Sequence, residues 1–343
     1  MHILVDIRTT NPTDLVRQSY GISWVHLWKI YHPHDRITYL ASPGNMIDWE
    51  VIYVKENWNI LGRRKIARHQ NGPDRIISFS RLAPIDPSIP TISHVFDSID
   101  LLYPRWNPGI IGRTLKEQQY KNVLKYSNGI IVPHLEVGME LVEISNVHEQ
   151  KISVIPYFVP ERKHFPFSWL HPLGIIPGYW IVEGTSSDEW NPFWLLRAYS
   201  HYIHEFGGTK RLIIAGDLWS SLRHIIECIR GLNIMDYVKI VGILPEDTRS
   251  TLYEYASGWI ALGGYYGWGP TLAYVLTYGL PIFASDIAPI REYADITIHP
   301  NHSDEIVEKL LILSKLSTTA EKYIHSPHAI IEVYGRVIAE AKI

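Results

Sequence analysis

ASGWIALGGYYGWGPTLAYVLTYGLPIFASDIAPIREYAD, running from Ala256 to Asp295, is the stretch that decides the fold. It reads as strand, glycine-rich loop, helix, turn, strand and loop. Gly269 precedes Pro270, and proline suits the first helical position because its missing N–H would be unpaired there anyway. Gly279 stands where a left-handed residue closes a helix. Leu272, Val275 and Leu276 make an i, i+3, i+4 apolar stripe that should face a sheet, with Thr271, Tyr274 and Tyr278 on the other side. The loop Gly263–Gly269 lets a ligand approach backbone closely, and the helix end behind it favours an anion.

Moving outward, a strand–helix series fills the C-terminal half. YWIVEG (Tyr179–Gly184), RLIIAGD, YVKIVG, WIALGG and PIFASD read as strands, and a helix is expected from about Pro192 to Glu205. Upstream, KISVIPYFVPERKHFPFSWLHPLGIIPG carries Pro156, Pro160, Pro166, Pro172 and Pro177, a spacing that predicts an interdomain linker without a continuous helix. Before it, HILVDI, RITYLAS, RIISFS, TISHVFD and GIIVPH are strand candidates, with helices over Tyr20–Tyr31 and Gly112–Tyr126. Strands alternating with helices predict parallel sheets covered on both faces. The fold class is therefore α/β, with two Rossmann-like doubly wound domains facing across a cleft. Ligands in such sheets sit beyond the carboxyl ends of the strands, and interdomain clefts are favoured pockets.

The Ala256–Asp295 stretch resembles the signature of retaining GT-B glycosyltransferases of family 4, the group 1 transferases. That signature runs strand, then E-G-F-G-x-x-x-x-E-A-x-x-x-G-x-P-V-x-A-S-D, then a later glutamate. Gly267, Trp268, Gly269, Gly279, Pro281, Ala284, Ser285, Asp286 and Glu292 stand in the matching places. RLIIAGD, VKIVGILPEDTRSTLYEYASGWI and KISVIPYFVP are similar to further family segments, in the right order. The N-terminal HILVDIRTTNPTDLVRQSYGISWVHLWK is a looser match.

The resemblance implies an N-terminal acceptor domain over residues 1–165 and a nucleotide-sugar domain over 166–324. It also implies a C-terminal helix, about 325–343, that packs back on the first domain. The reaction would transfer a sugar from a nucleotide-activated donor with retention. The base would lie near Gly242 and Ile243. The diphosphate would lie near Gly21, Gly184, Thr185, Ser186, Trp190 and the Pro270–Thr271 helix end, and the donor sugar near Tyr266, Gly267, Trp268 and Gly269. Tyr274 would take the ribose position, and the acceptor would enter near Asp97. Asp97 and Tyr266 are the catalytic candidates.

Departures from the pattern are equally specific. The family's two glutamates align with Tyr266 and Tyr274, and a phenol cannot present a bidentate carboxylate. Its diphosphate-clasping arginine and lysine align with Thr185 and Trp190 in EGTSSDEWNPF, although Arg197 or Lys210 lies nearby in sequence. Its histidine–aspartate pair aligns with Phe96 and Asp97, and its glycine-glycine phosphate loop is reduced to Tyr20-Gly21. Charge developing on a leaving diphosphate normally needs fixed positive donors. The alternative reading is thus a binding or scaffolding protein of this fold with impaired catalysis. Each residue also has a bland role: Tyr266 and Tyr274 as cleft-wall packing, Thr185–Ser187 as a helix cap, Asp97 as a surface acid or cap.

Composition narrows the rest. The chain has 343 residues, 46% of them hydrophobic, and a net charge of −3. That is enough for two cores and argues against a broadly basic nucleic-acid surface. A single cysteine, Cys228, cannot form an internal disulfide, so a reducing, intracellular setting is expected. The first strand begins near His2, leaving no room for a signal peptide, and no apolar run reaches membrane-spanning length. The 21 tyrosines and 12 tryptophans suit both stacking on ligands and core packing, and packing accounts for most of them. The 17 histidines show no metal-ligand spacing, so no metal is expected, nor any cofactor beyond the nucleotide sugar. The Arg63-Arg64-Lys65…Arg68 run reads as a solvated helix face, or as a contact for an anionic acceptor or a peripheral membrane surface. The acceptor class (glycan, lipid or protein) and the oligomeric state are left open.

Overall fold

The computed structural model describes residues 1–8, 15–42, 50–53, 72–82, 84, 86, 88–102, 110–158, 164–184, 192–216, 218, 221–264, 269–299, 302–319 and 326–341. The chain divides into two compact units, Met1–Pro160 with His325–Ile343, and Glu161–Ile324.

The first unit runs β1 (His2–Asp6), α1 (Leu15–Tyr31), β2 (Arg36–Ala41), β3 (Val51–Tyr53), β4 (Arg75–Ser78), β5 (Thr91–His94), α2 (Ile99–Leu102), α3 (Ile110–Tyr126), β6 (Gly129–Val132), α4 (Leu135–Ser145) and β7 (Ile152–Val154). Its seven strands pair in parallel in the order β3-β2-β1-β4-β5-β6-β7. Val5 pairs with Tyr39 on one side and Ile77 on the other. β1 is buried throughout, as a central strand covered on both faces must be. The order reverses between β1 and β4, which makes the carboxyl end of β1 a topological switch point. A buried ion pair closes that end: Arg8 Nη2 donates to Asp6 Oδ2 at 2.7 Å and Arg8 Nε to Asp6 Oδ1 at 2.9 Å. Both side chains are 1% exposed, so removing either partner strands a charge at a cost of about 3–5 kcal/mol.

KISVIP differs from the linker expectation. Ile152–Val154 forms the edge strand β7 beside β6, and Ile155 N donates to Val132 O at 2.9 Å. Its isolated β-branched residues gain a strand only because an open sheet edge is there to receive them.

The second unit runs β8 (Trp180–Gly184), α5 (Pro192–His204), β9 (Leu212–Gly216), α6 (Leu222–Gly231), β10 (Val238–Gly242), α7 (Glu246–Glu254), β11 (Gly258–Ala261), α8 (Pro270–Thr277), β12 (Ile282–Ser285), β13 (Ile296–Ile298) and α9 (Ile306–Leu313). The last helix, α10 (Pro327–Glu340), belongs to the first unit, where Arg75 Nε donates to Ile338 O at 3.2 Å. The six strands of the second unit are parallel in the order β10-β9-β8-β11-β12-β13, again with the reversal beside the first strand, between β8 and β11. Trp180, Tyr199, Leu212, Ile225, Ile260, Phe283 and Leu310 join one core.

Packing claims most of the described aromatic residues. Trp24, Trp28, Trp180 and Trp259 are all at most 2% exposed. His94 lies buried between the rings of Phe79 and Tyr334, at 4.3 and 5.4 Å between centroids. Burial pushes its pKa down to about 3, so it is neutral at pH 7. Its Nε2 lies 3.1 Å from Tyr334 Oη.

Candidate functional site

In a doubly wound sheet the strands flanking the switch point diverge at their carboxyl ends and leave a crevice there. In the second unit these are β8 and β11, and four elements converge on that edge. β8 ends in Glu183 and Gly184, and β11 leads into Leu262–Gly264. The helix α8 begins at Gly269-Pro270, and α7 packs beside it.

Glu183 is the centre of the arrangement. It is the partly buried acid at the end of an otherwise apolar strand. Thr271, in the first turn of α8, donates through Oγ1 to Glu183 Oε2 at 2.5 Å. The Tyr253 phenol on α7 donates to Glu183 Oε1 in a short hydrogen bond. Burial, reinforced by the Glu183 charge, raises the Tyr253 pKa well above the ordinary phenol value, which keeps it a donor. The Tyr253 ring stacks on Tyr274, centroids 6.1 Å apart and planes 7° from parallel, and the Arg249 guanidinium lies 5.1 Å from the Tyr274 centroid. Ser250 Oγ meets Tyr278 Oη at 2.6 Å. The face of α8 opposite the apolar stripe is therefore not open. Tyr274 and Tyr278 are 7% and 5% exposed because α7 covers them.

Two glycines at this edge have contrasting surroundings. Gly216 ends β9 at φ 107°, and a Cβ there would fall 2.2 Å from Gly184 O, so only glycine lets the two strand ends pass. Gly269 caps α8 with extended backbone, and a Cβ there would meet nothing within 4 Å among the described residues. Pro270 has no N–H, and Leu272 N and Ala273 N donate back to Gly269 O at 3.1 and 3.4 Å, so Thr271 N is the first-turn amide without an intrahelical acceptor. Gly279 closes α8 at φ 62°, with Leu280 N donating to Val275 O at 3.2 Å, as the sequence predicts.

Gly184, Gly269, Pro270, Thr271 and Tyr274 come together around the β8 end and the start of α8. Gly242 ends β10 at φ 67°, and the adjoining Ile243 is 48% exposed. Thr185, Ser186, Trp190, Tyr266, Gly267 and Trp268 lie outside the described residues, as does the Arg63–Arg68 cluster.

The other two candidates belong to the first unit. Asp97 follows β5, and its Oδ2 accepts from Arg17 Nη2 at 3.0 Å, with Arg81 Nη2 at 3.6 Å. The Arg17 guanidinium also covers the Phe96 ring at 4.6 Å. Gly21 sits inside α1, as the helix expected over Tyr20–Tyr31 requires, and not in the glycine loop that the family resemblance implied. A Cβ there would approach Ile7 Cγ2 to 2.8 Å and Phe79 Cδ2 to 2.9 Å, so its smallness serves helix-on-sheet packing.

Glu183, Tyr253 and Arg249 were missed in the sequence. A lone acid ending an apolar strand and an Arg–Tyr pair at i, i+4 were the available signals, but neither names its partner. Among the described residues no group of three metal-ligating side chains occurs, and no helix is long and apolar enough to cross a membrane.

No protein-family model matches the sequence, and no curated protein matches it either. Solved structures do. WaaG, a glycosyltransferase involved in lipopolysaccharide biosynthesis, matches with a TM-score of 0.74 at 13% identity over 98% of this chain and 100% of that one. HepE of Anabaena, in complex with UDP-glucose, matches at 0.71 and 14% identity over 99% and 98%. The UDP-GlcNAc 2-epimerase of Methanocaldococcus jannaschii matches at 0.60 and 12% identity over 99% of both chains. Together with the two parallel sheets, these similarities show the fold: two Rossmann-like units of the GT-B type. At such identities they do not choose between sugar transfer and epimerisation.

Proposed function

We propose that this chain is a glycosyltransferase that moves a sugar from a nucleotide-activated donor to an acceptor hydroxyl, with retention at the anomeric carbon. The observation that carries the reading is the tie of Glu183 to Thr271 and Tyr253, beside the open Gly269 end of α8 at the β8–β11 switch point. That end offers the Thr271 amide and a helix dipole to an anion, which suits a nucleoside diphosphate gaining charge as its bond to the sugar breaks. Arg249, over Tyr274, is the nearby cation assigned to offset part of that charge. Uridine diphosphate sugars come first in the donor panel because HepE of Anabaena is similar in fold and was solved with UDP-glucose.

In this reading Gly242 and Ile243 meet the base, and Gly184, Thr185, Ser186, Trp190 and the α8 start meet the diphosphate. Tyr266, Gly267, Trp268 and Gly269 meet the donor sugar. The acceptor, a glycan, lipid or protein, is assigned to the first unit near Asp97. No metal is assigned, and a reducing intracellular setting is proposed from the lone cysteine.

The test is calorimetric titration with UDP, GDP, ADP and their common sugar conjugates, followed by product analysis on any donor that binds. Donor-dependent transfer or slow release of free sugar supports the reading. A C2-epimerised donor, or no binding across the panel, overturns it.

A further inference from the structure

The first unit carries a lysine-lined pocket at the edge of its sheet opposite to the strand carboxyl ends. It lies at the amino ends of β6 and β7, where α3 and α4 finish, and encloses about 550 Å³. Lys121, Lys125 and Lys151 line it, and none of its nine lining residues is acidic. Leu124 and Val147 supply an apolar wall. Ser145 Oγ is buried behind the lining, with no hydrogen-bond partner among the described residues.

The bland account is that lysines neutralise two helix C-termini. Each terminus carries roughly half a negative charge, so two of them offset about one lysine. Lys121 also meets Glu117 at 2.6 Å, but that pair is exposed on both sides and weak. Lys125 lies 5.1 Å over the Tyr126 ring, and Lys151 donates to Ser127 O at 3.2 Å. Neither contact removes charge. A positive surplus remains in a chain whose net charge is −3.

We infer that this pocket binds a phosphate monoester with an apolar body. With the two helix ends together and Glu117 each offsetting about one of the three lysines, about one positive charge is left to attract the phosphate. The cavity falls in the size range of small-molecule sites, roughly 300–1,000 Å³, well beyond a bare phosphate. The remaining volume faces Leu124 and Val147, which suits hydrocarbon. The same chemistry exists free in solution and on a lipid headgroup.

The experiment titrates the intact protein with hexyl phosphate, with phosphatidic-acid vesicles, and with phosphatidylcholine vesicles as the neutral control. The expected result is binding of at least one phosphate probe, weakened at least tenfold in the Lys121→Glu/Lys125→Glu variant, with no binding to neutral vesicles. Tight binding to hexyl phosphate alone identifies a soluble ligand, and to the phosphatidic-acid vesicles alone a membrane one. Absence of binding to both phosphate probes at low millimolar concentration overturns the inference. So does equal affinity in the variant, which would move the phosphate to the α8 end. Hydrogen exchange on the wild-type protein provides a readout independent of the variant's folding. Residues 121–125 and 144–151 should gain protection with the bound probe, and unchanged exchange there also overturns the inference.

Discussion

Thr271 donates a 2.5 Å hydrogen bond to Glu183, joining the first turn of α8 to the last residues of β8. The two residues are 88 positions apart in sequence, and the same carboxylate also takes the Tyr253 phenol from α7. One acid therefore aligns two helices at the edge where a doubly wound sheet holds its ligand.

Glu183→Gln leaves the side-chain size but turns one acceptor oxygen into a donor facing a donor. Each charged hydrogen bond lost costs about 1.5–3 kcal/mol. Denaturant unfolding should show the second unit destabilised by about that much. Donor affinity should fall together with it, because the α8 start is no longer aligned.

Gly269→Ala separates fold from function. Among the described residues no atom lies within 4 Å of the added Cβ, so stability should change by no more than about 1 kcal/mol, the difference between glycine and alanine at a helix cap. If the donor approaches backbone here, its affinity should drop at least tenfold in a titration. An unchanged dissociation constant would remove Gly269 from the site.

Gly216→Ala should do the reverse. Its left-handed backbone alone costs a side chain about 1–3 kcal/mol, and the 2.2 Å approach to Gly184 O adds to that. Thermal melting should show a clear loss of stability before any ligand is added.

Tyr274→Phe keeps the stack on Tyr253 and the Arg249 contact while removing one hydroxyl. Stability should fall by no more than about 1.5 kcal/mol, the net worth of one hydrogen bond. Donor binding should weaken by about tenfold if that hydroxyl has taken over the ribose contact, and stay constant if the tyrosine only packs.

His94 makes acid stability predictable in sign. Its folded pKa is about 3 and an unfolded histidine titrates near 6.5. Between these values the unfolded state binds more protons, so stability is present above about pH 6.5 and is lost as pH falls toward 3. His94→Phe should flatten this part of the stability–pH curve, by a few kcal/mol at pH 4 relative to pH 7. The same slope in both proteins would show that His94 does not cause it.

The sequence carried the element order well because strand and helix signals are local. Apolar runs of four to six residues and the Gly269-Pro270…Gly279 punctuation need only neighbours a few positions away, and α8 begins and ends where they predict. β3, β7 and β13 escaped notice, since three-residue strands form only when an existing sheet edge offers hydrogen bonds.

What the amino-acid sequence determined by itself is thus an alternation of strands and helices in two series, and the glycine loop that starts α8. The tertiary structure decided which strand is central, that Gly21 packs against Ile7 and Phe79, and that Glu183 meets Thr271 and Tyr253. The physical reason is range. Periodicity and capping act within one or two turns, whereas strand order, burial and paired polar groups depend on contacts between residues tens of positions apart, set by the whole fold.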